Sequence, residues 1–306
     1  MKKQTKIKKF FKRIEGFFVR IKQRYIVHHL LKTGGQEIIA QYRQHTNKTC
    51  EPINTESPIW VCWWQGEKAM PDIAKACFNS IKIHACSHPV TLITKENYTN
   101  YVELPDYIIT KVNQGEITLT HFSDILRMAL LSKYGGIWLD STVLLPFKNL
   151  DSIINPTKEF WSCHHLPIYH NISRGGWTGF FLACGKNNLL PSFIYDFFLN
   201  YWKRHNKLID YLLIDYTFAI ARKYIPAIHQ MIELVPITVM GPLGKCLNDE
   251  YSEEEWNNFC KNYDFHKLTY KIPLQKVTPE GKKTFYGHIL EEFLPTTPSQ
   301  PIPSPS

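Results

Sequence analysis

A succession of short apolar runs separated by helix-forming sequence constrains this chain most. "PIWVCWW" (58–64), bounded by Pro58 and by Gln65-Gly66, reads as a buried strand. "PDIAKACFNSIKIHA" (71–85) follows with helical spacing, and Pro71 suits a first helical turn. "PVTLIT" (89–94) reads as a β-branched strand, and "YIIT" (107–110) as another short one. In "TLTHFSDILRMALLSKYGG", Phe122, Ile125, Leu126, Ala129 and Leu130 share one helical stripe, and Gly135 suits a left-handed helix end. "GIWLD" then reads as a strand. This alternation is the pattern of a parallel sheet covered by helices. Ligands of such sheets sit beyond the carboxyl ends of the strands, and Asp140 stands at such an end.

The second half is less regular. "EFWSCHH" and "TGFFLACG" read as strands, "LLPSFIYDFFLNYWKRH" and "LIDYLLIDYTFAIARKY" as aromatic-rich helices, and "HKLTYK" (266–271) as a returning strand. With 306 residues, 44% of them hydrophobic, there is ample material for a core. The expected organisation is a basic amphipathic N-terminal helix over 1–35, one α/β domain over 50–290 with a helical, aromatic-rich C-terminal part, and a disordered Pro/Ser tail over 295–306.

Charge is concentrated at one end. Residues 1–24 hold seven Lys and three Arg against one acid, Glu15. With totals of 36 basic and 27 acidic residues, the remaining chain holds 26 of each and has no net excess. A nucleic-acid-binding body normally carries its own basic footprint, so no nucleic-acid partner is expected. Ile7, Phe10, Phe11, Ile14, Phe17, Phe18, Ile21 and Tyr25 recur at three- and four-residue steps with Lys and Arg between them. That pattern suits a helix lying in an anionic membrane surface through residues 1–26. The plainer alternative is a helix packed on the domain with its cations solvated. No apolar run reaches the ~18 residues needed to span a bilayer, and charges interrupt every stretch where a signal peptide would need its apolar region. The eight cysteines form no CxxC and are read as free thiols of a reducing compartment. The expected location is cytoplasmic, peripheral on the inner face of the cell membrane.

A carboxylate at the end of a parallel strand, followed by the hydroxyls of Ser141 and Thr142, can help to hold a divalent cation. Mg²⁺ and Mn²⁺ prefer oxygen ligands and often take one or two carboxylates with substrate phosphates. The alternative is that Asp140 merely caps the strand end. Asp124 and Arg127 stand three apart on the preceding helix, roughly opposite its apolar stripe. They read either as an exposed ion pair of little energetic worth or as a clamp on a ligand, Arg127 to phosphate and Asp124 to sugar hydroxyls.

"SDILRMALLSKYGGIWLDSTV" resembles the signature of sugar-nucleotide glycosyltransferases of family 32, which include the capsular polysaccharide synthesis proteins, yeast-type α-mannosyltransferases and, more distantly, the clostridial glucosylating toxins. Ser123, Asp124, Arg127, Gly135, Gly136, Trp138 and Asp140 carry the likeness. "IWVCWWQGEKAMP" resembles the family's first strand through Trp64, Gly66 and Pro71, and "HKLTYK" resembles the C-terminal part of the capsular branch. The likeness is good over about 57–145 and weak elsewhere.

The resemblance implies a GT-A-like, Rossmann-type nucleotide-sugar-binding fold and a retaining hexosyltransferase using Mn²⁺ or Mg²⁺. Its donor is a nucleotide-diphosphate sugar, its acceptor a saccharide or lipid-linked saccharide, and its product a capsular or surface polysaccharide. It assigns Asp140, Asp124 and Arg127 to catalysis. Trp64, Asp124, Arg127, Ser141 and Thr142 go to donor binding, with Trp64 stacking near the base, and Asp140 goes to the metal. Thr142 stands where the second acid of a D-x-D would be, a departure that the capsular branch tolerates: either Asp140 acts with water and the diphosphate, or another residue, His288 or Asp215, completes the metal shell. A catalytically inactive sugar-nucleotide or glycan-binding protein of the same fold is the alternative.

Other polar groups are weaker candidates. "CHH" (163–165) and His84, Cys86 and His88 lack zinc spacing. Trp177, in "SRGGWTGF", offers an aromatic face to an acceptor or lies in an ordinary turn. Asp210 and Asp215, five apart on an expected helix, cannot both face one pocket.

Overall fold

The computed structural model describes residues 2–45, 50–155, 158–164, 171–238 and 240–294, with side chains from residue 14 onward. The expected tail over 295–306 lies outside these residues. α1 (Lys2–Leu30) passes through a π-type turn at Leu31–Gly35 into α2 (Gln36–Tyr42). The α/β body begins with β1 (Ile59–Cys62), α3 (Asp72–His84), β2 (Val90–Ile93), α4 (Asp106–Asn113), α5 (Leu119–Tyr134) and β3 (Gly136–Leu139). It continues through β4 (Val143–Leu144), α6 (Leu150–Ile154), β5 (Phe160–Ser162), β6 (Phe181–Cys184), α7 (Leu189–Arg204), α8 (Leu213–Tyr224) and α9 (Pro226–Glu233). β7 (Met240–Gly241), α10 (Glu253–Asn262), β8 (Phe265–Lys267) and α11 (Phe285–Phe293) follow.

The main sheet has five strands in the order β2-β1-β3-β6-β5. β1 runs parallel to both β2 and β3, while β6 runs antiparallel to β3 and to β5. The architecture is therefore α/β, as expected, with parallel and antiparallel strands in one sheet. All four residues of β3 are buried, because helices cover both faces. Ile137 and Leu139 point into one apolar cluster with Ile59, Val61 and Phe78. Trp138 points into the other, with Phe122, Leu126, Phe193 and Phe218 from α5, α7 and α8. The period-two alternation of a strand explains that division.

Two pairings bring distant sequence to the end of β3. The register Leu139↔Phe181 sets the residues before β6 beside Asp140, whose backbone N–H donates to Phe180 O at 2.9 Å. A second, three-stranded sheet, β4-β8-β7, pairs Val143 with Lys267 and so sets β8 beside the residues that follow Asp140.

Three expectations are corrected. "YIIT" is helical, in α4: Pro105 precedes a helix whose first turn holds Asp106, and Ile108 packs inward, so the helix start outweighs a β-branched run. α8 starts only at Leu213. Asp210 lies in the preceding turn, where it accepts from Leu212 N–H at 2.9 Å and pairs with Lys22 of α1 at 2.7 Å, so helical phase does not relate it to Asp215. Only Phe265–Lys267 of the "HKLTYK" region forms a strand.

α1 packs on the body through Ile26 and Leu30, at 2% and 1% exposed, and leaves Phe17, Phe18 and Tyr25 more than half exposed. Its end turns at Gly34, where φ is 116° and the carbonyl accepts from Asn200 Nδ2 at 2.9 Å. A Cβ there would lie 2.5 Å from that same nitrogen, so only glycine satisfies both the turn and the contact.

Candidate functional site

A cleft of about 660 Å³ opens beyond the carboxyl ends of β1 and β3. Trp63, Trp64 and Gln65 continue β1 into it, and Asp140, Ser141 and Thr142 continue β3. Tyr270 comes across from the chain after β8, and its ring meets that of Trp63 edge-on with centroids 5.4 Å apart. The ionised side chains on the cleft wall are Asp140, Lys267 and Lys271.

Asp140 is held from three directions. Its Oδ1 accepts from Trp138 Nε1 at 2.9 Å and from Arg127 Nη2 at 3.1 Å. Its Oδ2 accepts from Lys267 Nζ at 2.8 Å, and the same ammonium donates to Thr142 Oγ1 at 2.6 Å. Burial alone would raise the Asp140 pKa, but the charges of Lys267 and Arg127, with the hydrogen bonds from Lys267 and Trp138, outweigh it and hold the carboxyl below its ordinary value. Asp140 is an anion at neutral pH.

Behind it, Arg127 Nη1 pairs with Asp124 Oδ1 at 3.2 Å, and Asp124 Oδ2 lies 3.4 Å from His121 Nδ1. The guanidinium also covers the Trp138 ring at 4.8 Å. α5 can present these polar groups because Thr118 caps its first turn, accepting from His121 N–H at 3.3 Å. Asp124 and Arg127 are 7% and 5% exposed, which removes the reading of an exposed pair. Neither is among the residues that line the cleft, because α5 is covered on its polar face too. The structure brings Asp124, Arg127 and Asp140 together, with the first two supporting the third from behind. Ser141, Thr142 and Trp64 do reach the cleft. Trp64 lines the cleft and also packs on Phe122 and Tyr98, with centroids 5.0 and 5.3 Å away.

Asp215, in the first turn of α8, accepts from Trp177 Nε1 at 2.8 Å. Burial pushes its pKa up to about 6, partly offset by the Trp177 hydrogen bond, while nearby Asp124 raises it and Arg127 lowers it. Trp177 itself is 2% exposed and stacks on Phe218, so its face is not free for a sugar.

The residues around Asp140 do not fit a divalent cation. Mg²⁺ needs about six oxygens near 2.0–2.1 Å, and here both Asp140 oxygens and the Thr142 hydroxyl already bond to cations or N–H donors. Among the described residues no group of three His, Cys, Asp or Glu side chains gathers to hold a metal. Neither residue expected to complete a shell reaches the cleft. His288 stacks on Tyr251 and lies 3.0 Å from Glu292, and Asp215 is committed to Trp177. His88 instead bonds to Asp151 and to Ser57 O, each at 2.8 Å. His164 forms a bridge with Ile237, while His165 lies outside the described residues. All eight cysteines are free, and burial pushes the thiol of Cys62, at the cleft wall, up to about 12, far from a thiolate at neutral pH.

Lys267 is the residue that sequence reading missed. It lies 127 positions from Asp140, and the only trace of its role is its place in "HKLTYK".

Comparison with known proteins adds an independent line. The chain is 25% identical over 181 residues to the probable glycosyltransferase FCK3 of Fusarium pseudograminearum (strain CS3096), covering 55% of this chain and 43% of that protein. It is 25% identical over 115 residues to the O-glycosyltransferase braB of Annulohypoxylon truncatum, covering 35% and 27%. The chain thus spans less than half the length of these curated relatives. Among solved structures it is similar to PaToxG Glycosyltransferase, with 15% identity and a TM-score of 0.40 over 72% of this chain and 83% of that one. The capsular polysaccharide synthesis protein family matches residues 6–289, well beyond the segment where the sequence motifs lie. The chain belongs to the capsular polysaccharide synthesis protein family.

Proposed function

We propose that this chain is a glycosyltransferase that moves a sugar from a nucleotide-diphosphate donor to a saccharide or lipid-linked acceptor in capsular or surface polysaccharide synthesis. The observation that carries this reading is the cleft at the strand ends, where one fixed anion, Asp140, stands among two lysines and a wall of Trp63, Trp64 and Tyr270. Aromatic faces suit the base and sugar planes, lysines suit a diphosphate, and an ionised carboxylate accepts from sugar hydroxyls. Arg127 and Asp124 act as positioning residues that fix Asp140. Family membership and relatives named as glycosyltransferases support the same reading. Retention of anomeric configuration is the stereochemistry that accompanies it.

A thermal-shift screen of nucleotide-sugars tests this. Stabilisation by one donor names the sugar, and slow release of free sugar and nucleotide from that donor separates a catalyst from a binder that merely protects it. No response to any donor refutes the reading.

We propose further that α1 lies on an anionic membrane surface on the cytoplasmic side. No helix among the described residues is long and apolar enough to cross a membrane. Ile14, Phe17, Phe18, Ile21 and Tyr25 are exposed along α1. Beside them, α1 and α8 flank a cavity of about 560 Å³ whose wall carries Arg20, Arg24, His28, Arg174, Arg222 and Lys223 and, among the described residues, no acid. An apolar strip flanked by cations is what an anionic lipid surface attracts.

A further inference from the structure

We propose that Lys267 does the work of a divalent cation: its ammonium, fixed between Asp140 and Thr142, binds the donor diphosphate and neutralises it as it departs. This rests on the glycosyltransferase reading and assigns a residue to the charge that such a reaction must stabilise.

The geometry is that of an occupied cation position. A D-x-D pair would offer a metal its first and third side chains, here Asp140 and Thr142, and both are bonded to one ammonium at 2.8 and 2.6 Å. A metal at the same atoms would have to displace Lys267. The replacement of the second acid by threonine fits the exchange. A divalent ion gains from two carboxylates, whereas a single positive charge is matched by one carboxylate and needs only a neutral acceptor beside it.

Lys267 is also placed to act. An ammonium has three N–H donors. Asp140 and Thr142 take two, and the side chain lines the cleft, 26% exposed, so a third is left for a ligand. Its position is rigid, because β8 is zipped to β4 with Lys267 opposite Val143 and Leu268 N–H donates to Thr142 O at 2.8 Å. The Phe180 ring lies 5.3 Å beneath the ammonium. Lys271 adds a second cation, leaving the cleft wall with two positive charges against one negative.

The chemistry closes without a metal. The bond from the anomeric carbon to the diphosphate oxygen breaks, and its electron pair stays on that oxygen. The acceptor hydroxyl oxygen, or water in hydrolysis, bonds to the anomeric carbon. Its proton passes to the departing diphosphate. Lys267 stabilises the charge gathering on the leaving oxygens, the electrostatic task that a bound cation otherwise performs.

The test uses the full chain and calorimetric titration with UDP, GDP, ADP and CDP, each in EDTA and in Mn²⁺. One of these is expected to bind in EDTA with an affinity that Mn²⁺ changes less than about threefold, and the Mn²⁺ paramagnetic resonance signal in the presence of nucleotide is expected not to respond to added protein. Lys267→Met should lower affinity about tenfold or more, while Lys267→Arg retains most of it. Binding abolished by EDTA and restored by Mn²⁺ overturns the proposal and leaves the glycosyltransferase reading standing. So does a folded Lys267→Met variant with unchanged affinity, which would show that the lysine only neutralises Asp140. If that variant does not fold, the EDTA comparison on the unaltered chain decides alone. Absence of nucleotide and nucleotide-sugar binding under both conditions refutes the glycosyltransferase reading and this inference with it.

Discussion

The Arg127 guanidinium and the Asp140 carboxylate meet 3.1 Å apart across the gap between α5 and the end of β3, and the same guanidinium reaches back to Asp124 at 3.2 Å. One planar cation thus ties a helix to a strand end and aims the only acid on the cleft wall among the described residues. Removing it strands two carboxylates in a largely buried place. Arg127→Ala should cost about 3–5 kcal/mol of stability, the usual penalty for breaking a buried pair, read from chemical denaturation. Arg127→Lys should fold better yet lower kcat by about a hundredfold, because a point charge cannot span both carboxylates as the planar fork does. Donor KM should change far less than kcat.

Gly179 should not tolerate alanine. A Cβ there would sit 2.8 Å from Arg127 Nη1, and that arm is pinned by Asp124 and cannot swing aside. Gly179→Ala should destabilise by about 1–3 kcal/mol and reproduce the turnover defect of Arg127→Lys. Full turnover in the variant would show that the placement of Arg127 does not matter to the site.

Asp215 sets a pH dependence whose sign can be worked out. Its folded pKa, about 6, lies above the ordinary value of 3.8, so between these values the folded state binds more protons than the unfolded one. Stability contributed by this group is then full below about pH 4 and falls as pH rises through about 6. Asp215→Asn keeps an acceptor for Trp177 but cannot ionise. The melting temperature of the variant, compared with the parent from about pH 4 to about pH 8, should gain progressively on it as pH rises. A constant difference across that range would remove the shift.

The exposed strip of α1 gives a surface prediction. Replacing Phe17 and Phe18 by Ser should abolish sedimentation with vesicles containing phosphatidylglycerol and leave the melting temperature unchanged, since both rings are more than half exposed. Binding should weaken with salt, as screening of basic side chains requires. Equal binding to neutral phosphatidylcholine vesicles would contradict the electrostatic part.

Asp140 is legible in the sequence because local rules place it: a helix ends at glycine, an apolar strand of four follows, and a charge breaks the run. Trp64, two residues past the end of β1, is singled out by its likeness to the family's first strand. The burial of Asp124 and Arg127 is not, since a helical wheel shows one apolar stripe on α5 and says nothing of α7 and α8 closing over the other side. "YIIT" misleads because β-branched composition outweighs a proline-acid start in a four-residue window. Lys267 escapes entirely: its partner is set by the β4–β8 pairing, a long-range match of very short strands with no periodicity of their own to announce it.

That pairing also has a bearing on synthesis. A nascent chain can lay down β1, β2 and β3 long before residue 267 leaves the ribosome, and until then Asp140 has no ammonium against it. A partly translated or C-terminally clipped molecule therefore leaves Asp140 with only the Arg127 guanidinium against it, a charge that Asp124 shares. The site doubles as a seal on completeness, disfavouring any product that stops short of its second sheet.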